Sequence, residues 1–471
     1  MLKFEPKAYQ SELWEKTKHH KAYGNTFSTG AGKTYTTIVS YNNNPTKNLL
    51  IISPVNVVKQ WERELNNHST KECNVFQYKK TDTIKTINKK LLEQRGEYNT
   101  IIINYEKVNK MTSLLEVIDN SWTIILDEAH RINKWGELTR KQRRRYHEKI
   151  DEQIAENTTR AVVSLGKLAE YKYLLTATPV EGKFGGYIEY YPLIRFMGYT
   201  KMTYEEFYDA YVRFTAINFG TSPFPTKVIT GYRNTTQLDN FLENIFFGYN
   251  AKYGDYEPTE QFITLPKSKN YNSLLMDNIY KDIFIRNISQ KRVTLKYITG
   301  GRVVGETFEL DRVSYDDNTE KVDWLEDFIK DVDGSVVVMY NYDAELYMLE
   351  KLMQKLKVEY IVINGATKDK DYEIHQKKWK VMLGQFKSAS TGTDGLQHFS
   401  NNLVMYSMPE SSTLYKQALG RINRHGQTKV PNYYFLEMEG TVDTQVRRMI
   451  EEKLDFTEET LNRFLLDGGE E

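Results

Sequence analysis

Short apolar runs recur along the chain, separated by stretches in which apolar positions return every three or four residues. Trp122-Thr-Ile-Ile-Leu126 is one such run. Its length and β-branched content predict a strand covered on both faces, because such a strand shows no polar alternation. Residues 101–106 read as a second strand and the loop after it, and 335–340 and 402–407 repeat the pattern in the other half of the chain. Strands alternating with helical stretches predict parallel sheets, since parallel strands need crossover connections. The alternation comes in two blocks. The fold class expected is therefore α/β, with two parallel-sheet lobes over 1–195 and 318–471 and a mainly helical insert over 196–317. In that insert Phe207, Tyr211 and Phe214 are expected on one helix face, and a helix carrying Val446, Ile450 and Leu454 closes the second lobe.

Composition narrows the class without naming a chemistry. A chain of 471 residues with 40% hydrophobic residues is long enough for several packed cores. Its net charge of +1 means that any affinity for nucleic acid must come from local patches. The single cysteine, Cys73, excludes a disulfide framework and fits a reducing cytoplasm, bacterial or in a phage-infected cell. The N-terminus lacks an apolar signal region. No stretch approaches the roughly twenty apolar residues that span a bilayer, so no membrane partner is expected. The eight histidines show no metal-ligand spacing. Abundant Tyr, Asn and Lys hint at an AT-rich genome such as that of a phage or its host.

Three segments carry chemistry. In Thr29-Gly30-Ala31-Gly32-Lys33-Thr34 the glycines let successive backbone N–H groups face a phosphate. Lys33 would reach the β- and γ-phosphates of ATP, and the Thr34 hydroxyl would ligate Mg²⁺. Ile38 and Val39 follow at a spacing that lets a helix start at the loop and bring its positive end to the anion. Asp127-Glu128-Ala129-His130 follows the apolar run at 122–126, where open α/β sheets bind ligands at the carboxyl ends of their strands. Asp127 would hold Mg²⁺, and Glu128 would orient and deprotonate an attacking water. The third segment runs from Gln417 to Gln427 and is expected to be a helix that carries Arg421 and Arg424 one turn apart. Guanidinium groups so presented suit the charge of a transferring γ-phosphate. Catalytic candidates are thus Lys33, Asp127, Glu128, Gln417, Arg421 and Arg424.

Taken together and in this order, the segments resemble the superfamily-two helicases, and among them the Swi/Snf-like translocases of double-stranded DNA. Tyr9-Gln10 resembles the glutamine motif that reads adenine, so Gln10 joins the phosphate loop as a nucleotide contact. Ser53-Pro54 through Gln60-Trp61 resembles the family's Pro-to-Trp segment. Asn104-Tyr105 ends the next strand-and-loop motif, and Thr176-Ala177-Thr178-Pro179 looks like the motif that couples hydrolysis to movement. In the second half, Thr391-Gly392-Thr393-Asp394-Gly395 resembles a loop that contacts nucleic acid. His425-Gly426-Gln427 and Gly440-Thr441-Val442-Asp443 look like the tail typical of the Swi/Snf-like branch. The resemblance implies RecA-like lobes, with ATP touching Lys33, Thr34, Asp127 and Glu128 on one and Arg421 and Arg424 on the other. It also implies sequence-nonspecific grip on DNA near Pro54, Asn104, Tyr105, Thr391 and Gly392.

The chain departs from the family in three places. Phe27 stands where the phosphate loop usually has a first glycine, and Gly248-Tyr249-Asn250-Ala251 stands where an Arg-Arg pair is usual. Between His130 and Thr158 lies extra chain with Arg140-Lys141 and Arg143-Arg144-Arg145, readable as a solvated face or as a contact to phosphates. The function expected is an ATP-dependent translocase or helicase on duplex or forked DNA in replication, recombination or repair, working with proteins of those processes. The alternatives are an RNA helicase or remodeller with the same motor, and a non-hydrolysing nucleotide-binding scaffold or loader.

Overall fold

The computed structural model describes residues 5–78, 81–135, 157–177, 179–180, 186–217, 226–249, 256–317, 320–390 and 393–452. The basic segments at 140–145 lie outside these residues, as do Thr178, Thr391, Gly392 and Leu454. The chain divides into two compact units, 1–251 and 252–471.

The first unit is built on a six-stranded parallel sheet in the order β3-β2-β4-β5-β1-β8. Its strands are β1 (Ala22–Asn25), β2 (Asn48–Ser53), β3 (Thr100–Asn104), β4 (Trp122–Asp127), β5 (Tyr171–Leu175) and β8 (Phe246–Phe247). β6 (Val212–Ile217) and β7 (Thr226–Tyr232) form a separate antiparallel pair. The apolar run on β4 is central, and successive side chains enter different cores. Trp122, Ile124 and Leu126 join one cluster, with Ile132 and Leu165. Ile125 joins another, with Tyr23, Ile38 and Trp61. A strand that feeds cores on both faces shows no apolar–polar alternation, as in Ile124 to Leu126, and the one polar side chain within the run, the buried Thr123, is hydrogen-bonded to Asn44 and Thr46.

The second unit has its own six-stranded parallel sheet, in the order β15-β16-β14-β17-β18-β9. Those strands are β9 (Thr259–Leu265), β14 (Val336–Tyr340), β15 (Tyr360–Ile363), β16 (Val381–Gln385), β17 (Asn402–Met405) and β18 (Asn432–Met438). Two antiparallel pairs stand apart, β10 (Ile279–Tyr280) with β11 (Ile283–Phe284), and β12 (Arg302–Glu306) with β13 (Arg312–Asp316). Val337 and Met339 pack on one side of the sheet, Val336 and Val338 on the other. The helix Val442–Glu451 buries Val446 and Ile450 as expected.

The stretch 196–317, expected as mainly helical, is mixed. It carries three antiparallel pairs beside its helices, and β8 and β9 extend the two parallel sheets. Its strands are rich in Thr, Val, Ile and Phe, which suit a pleated surface better than a helix. The expected face of Phe207, Tyr211 and Phe214 is also corrected. Phe207 and Tyr211 share the helix Tyr204–Tyr211, with ring centroids 4.7 Å apart, but Phe214 lies on β6 and meets Tyr208 instead. No helix among the described residues is long and apolar enough to cross a membrane.

Candidate nucleotide site

The phosphate loop lies between β1 and α2 (Lys33–Asn43), so the loop amides meet the positive end of a helix. Gly30 and Gly32 both have φ of +82°, a conformation costly for residues with a Cβ. Gly32 is the N-cap of α2. The loop is braced from beneath by Asn25, a fully buried residue at the end of β1. Its amide nitrogen donates to Thr36 Oγ1 at 2.8 Å and its Oδ1 accepts from Phe27 N at 3.2 Å. This explains why β1 ends on a polar residue, a role that no spacing rule in the sequence signals. Lys33 Nζ donates to the carbonyls of Phe27 and Ser28 at 2.9 and 3.3 Å, which holds the ammonium over the loop. Phe27, in place of a first glycine, is buried and contributes its carbonyl to that contact.

The acidic pair stands at the carboxyl end of β4. Asp127 Oδ2 accepts from Trp61 Nε1 at 2.8 Å, and its carbonyl accepts from the Tyr105 hydroxyl at 2.9 Å. Burial and the neighbouring Glu128 charge raise the Asp127 carboxyl to a pKa of about 7, against the opposing pull of Trp61 and Lys33. A cation beside Asp127 would restore its charge. The Thr34 hydroxyl and the Asp127 carboxylate are hard oxygen donors, and a sparse pair of this kind suits Mg²⁺, which keeps water and phosphate among its ligands. Glu128 has φ of +52° and ψ of +54°, left-handed backbone for a residue with a full side chain. Such strain persists only where surrounding contacts over-determine it.

His130 joins this pair to the next motif. Its Nδ1 lies 3.4 Å from Glu128 Oε2 and 3.2 Å from Thr176 Oγ1. Thr176 is fully buried, and its N–H donates to the Asn25 carbonyl at 3.1 Å. Ala177 follows directly. One chain of contacts thus runs from Glu128 through His130 and Thr176 to the residue that braces the phosphate loop. Tyr9 and Gln10, on α1 (Ala8–Thr17), reach the same loop, with the Tyr9 hydroxyl and Gln10 Nε2 donating to the Ala31 carbonyl at 3.1 and 3.2 Å. Pro54 and Asn104 stand at the carboxyl ends of β2 and β3 and are both buried, as is Tyr105, whose hydroxyl donates to the Asp127 carbonyl. Trp61 was legible only as part of a motif. Its bond to Asp127 needed the fold.

In the second unit the arginines are not on a helix. The helix Ser412–Leu419 contains the buried Gln417 and stops at Gly420, and Arg421 and Arg424 occupy the turns that follow. Glycine ends a helix readily, and Ile422 is drawn fully into the core, which turns the chain. Arg421 donates to the carbonyls of Thr393 and Ser390 at 2.5 Å each, and Arg424 pairs with Asp394 at 2.9 Å. Both arginines therefore hold the loop that contains Thr393 and Asp394. Gln427 is spent within the fold, donating to the Ser400 and Ile422 carbonyls at 3.0 Å. Asp443 forms a buried pair with Lys321 at 2.6 Å.

Parts of the chain are similar to known proteins. An uncharacterized ATP-dependent helicase, YqhH of Bacillus subtilis (strain 168), is 24% identical over 157 residues, which is 32% of this chain and 28% of that protein's length. The SWI2/SNF2 ATPase core of Sulfolobus solfataricus, solved in complex with dsDNA, aligns over 99% of this chain and 94% of its own at 17% identity, with a TM-score of 0.42. Residues 27–218, which hold the phosphate loop, the acidic pair and Thr176, match the family model of the SNF2-related domain, and over that span the chain is similar to this family.

Proposed function

We propose that the chain is an ATP-dependent DNA translocase of the Swi/Snf-like branch, which couples hydrolysis to movement on double-stranded or forked DNA. The observation that carries this reading is the continuous set of contacts from the acidic pair through His130 and Thr176 to Asn25 and the phosphate loop. A site wired in this way can register whether a γ-phosphate is present and pass the difference to a neighbouring element. The match to the SNF2-related domain over the same residues supports it.

In this reading Lys33, the loop amides and the start of α2 hold the β- and γ-phosphates, with Gln10 and Thr29 to Thr34 around the nucleotide. Thr34 and Asp127 would hold Mg²⁺, which when bound offsets phosphate charge. Glu128 orients a water and accepts its proton while the water oxygen attacks the γ-phosphorus. The bond to the β–γ bridging oxygen breaks, giving ADP and phosphate. Arg421 and Arg424, close in the chain to Gln417, are the cationic groups assigned to hydrolysis in this reading. Backbone-contacting loops at Pro54, at Asn104 and around Thr391-Gly392 grip DNA without reading its sequence. Tyr105, already bonded to Asp127, positions the site from within.

The test is the steady-state ATPase rate with no nucleic acid, duplex DNA, single-stranded DNA, forked DNA and duplex RNA at one salt concentration. Strong stimulation by duplex or forked DNA is expected. Stimulation by RNA alone would replace this reading with that of an RNA remodeller, because A-form and B-form backbones present phosphates differently.

A further inference from the structure

Lys71 lies in the loop after α3 (Val58–His68), and its ammonium is caged by the oxygens of one short stretch of chain. Nζ donates to the carbonyls of Tyr41, Asn44 and Thr46 at 2.5, 2.7 and 2.7 Å, and to Asn44 Oδ1 at 3.1 Å. It also stands over the Tyr41 ring, 4.2 Å from the centroid. No carboxylate is among these partners. Burial pushes the Lys71 pKa down to about 8, with Cys73 opposing, so carbonyl dipoles and a ring face hold the cation against a desolvation cost.

Tyr41 belongs to the last turn of α2, and Asn44 is the residue that ends it. The final carbonyls of a helix lack partners within it and carry its negative pole, which is where a cation stabilises it. The same two helices are tied again beside the ammonium. Asn42 Nδ2 donates to the His68 carbonyl at 3.0 Å, and Asn42 Oδ1 accepts from Thr70 N at 3.0 Å. The Asn44 amide goes on to Thr123 Oγ1 on β4 and to the Tyr173 hydroxyl on β5, at 2.9 and 3.1 Å. The end of α2 is thereby fixed to the end of α3 and to two strands of the sheet.

Both helices reach the nucleotide site from their first turns. α2 opens with Lys33 and Thr34, and α3 carries Trp61, which donates to Asp127 at 2.8 Å. A change in the angle between them would move the phosphate loop relative to Asp127, and a displacement of about 1 Å in such a site can cost about a hundredfold in rate. We propose that Lys71 is a positioning residue of the nucleotide site, clamping α2 to α3 so that Thr34 and Asp127 face the same Mg²⁺–nucleotide complex. The proposal rests on the nucleotide-hydrolysing reading above and adds the residue that sets its geometry. The loop keeps its own bracing by Asn25 and its two glycines, so loss of the clamp spares nucleotide binding itself and impairs what depends on both helices together.

The experiment compares the full-length wild type with Lys71→Met, Lys71→Ala and Lys71→Arg, at a temperature where melts show each protein folded. It measures binding of a fluorescent, non-hydrolysable ATP analogue in Mg²⁺ and in EDTA, together with steady-state ATPase on duplex DNA. For the two neutral variants the expected Kd in EDTA lies within about threefold of wild type, the tightening produced by Mg²⁺ is smaller by about tenfold, and kcat falls by about tenfold or more. In Lys71→Ala, n-propylammonium replaces the missing side-chain atoms and should restore the Mg²⁺ response and kcat saturably, whereas tetramethylammonium, with no N–H to donate, should not. Lys71→Arg should keep both within about threefold. An unchanged Mg²⁺ response and kcat in Lys71→Met would overturn the proposal, as would failure of both the arginine and the amine to restore them. If the neutral variants do not fold even with propylammonium, Lys71 holds the fold rather than the site, and the proposal falls. Binding separates its fate from that of the hydrolytic reading. If the wild type binds the analogue but hydrolyses no ATP on any nucleic acid, hydrolysis fails, and the clamp stands if Lys71→Met has lost the Mg²⁺ response and falls if it has kept it. If the wild type does not bind the analogue, both fall.

Discussion

The two parallel sheets treat charge in opposite ways. At the carboxyl end of the first, Asp127 is buried beside a second carboxylate, Glu128, and its pKa is raised to about 7. The second unit buries charge as matched sets. Lys321 and Asp443 are each 1% exposed and 2.6 Å apart, and Asp443 also accepts from the Thr299 hydroxyl and from Met438 N. Lys296, equally buried, donates to the Met408 carbonyl and lies 3.6 Å from Glu410. Glu345 is the exception: its Oε2 accepts from the amides of Asn341 and Tyr342 and from the Ser407 hydroxyl, yet burial still raises its carboxyl above the ordinary range. Charge compensated within its own unit holds the fold in one arrangement. Charge left beside its like at a strand end marks a candidate ligand site.

Substitutions should separate these two uses, and the largest effect belongs to the first sheet. Lys33→Ala is expected to lower nucleic-acid-stimulated ATPase by a factor on the order of 10³ or more, while Glu128→Gln retains nucleotide binding and loses turnover. Steady-state rates and titration with a fluorescent nucleotide distinguish the pair, and a full rate in Lys33→Ala would sink the catalytic half of the comparison. In the second sheet, Lys321→Met leaves Asp443 charged and buried, at a cost on the order of 3–5 kcal/mol in denaturant unfolding. The double variant Lys321→Met/Asp443→Leu should recover most of that loss, and a neutral single variant would contradict the matched-set view.

A smaller effect is expected from Asp127→Asn in the nucleotide-free protein. The carboxyl titrates higher in the folded chain than in the unfolded one, so its protonated form contributes stability that is complete below the ordinary carboxylate range. That contribution is lost as pH rises through about 7. Asparagine cannot ionise and still accepts from Trp61. At pH 8 the variant should therefore be more stable than wild type by up to about 4 kcal/mol, with little difference at pH 4 and below, as thermal melts at the two pH values would reveal. Least of all, Trp61→Phe removes a donor to Asp127 and should cost about 1 kcal/mol of transition-state stabilisation. The acid limb of the ATPase pH profile should move to higher pH, because the Trp61 bond lowers the Asp127 pKa. A limb that stayed in place would show that Asp127 does not govern it.

Much of this organisation is legible in the sequence. A strand buried on both faces shows no apolar–polar alternation, so β4 and β14 can be read from their runs alone. The phosphate loop is equally legible, because a tight left-handed turn needs Gly30 and Gly32 whatever surrounds it. Those are local constraints, decided by residues adjacent in the chain. The rest arises between residues far apart. Nothing near Asn25 states that it will receive the N–H of Thr176, and nothing near Trp61 that it will meet Asp127. Arg421 and Arg424 have helical spacing, but the helix stops at Gly420 and the buried Ile422 turns the chain between them. Tyr249 reads only as part of a departure from the usual Arg-Arg pair until β8 lays it against Tyr9. The sequence by itself determined the strands, the loop and the types of chemical group available. Only tertiary structure decided which of those groups meet, because hydrogen bonds and burial depend on distance in space and carry no trace in local spacing.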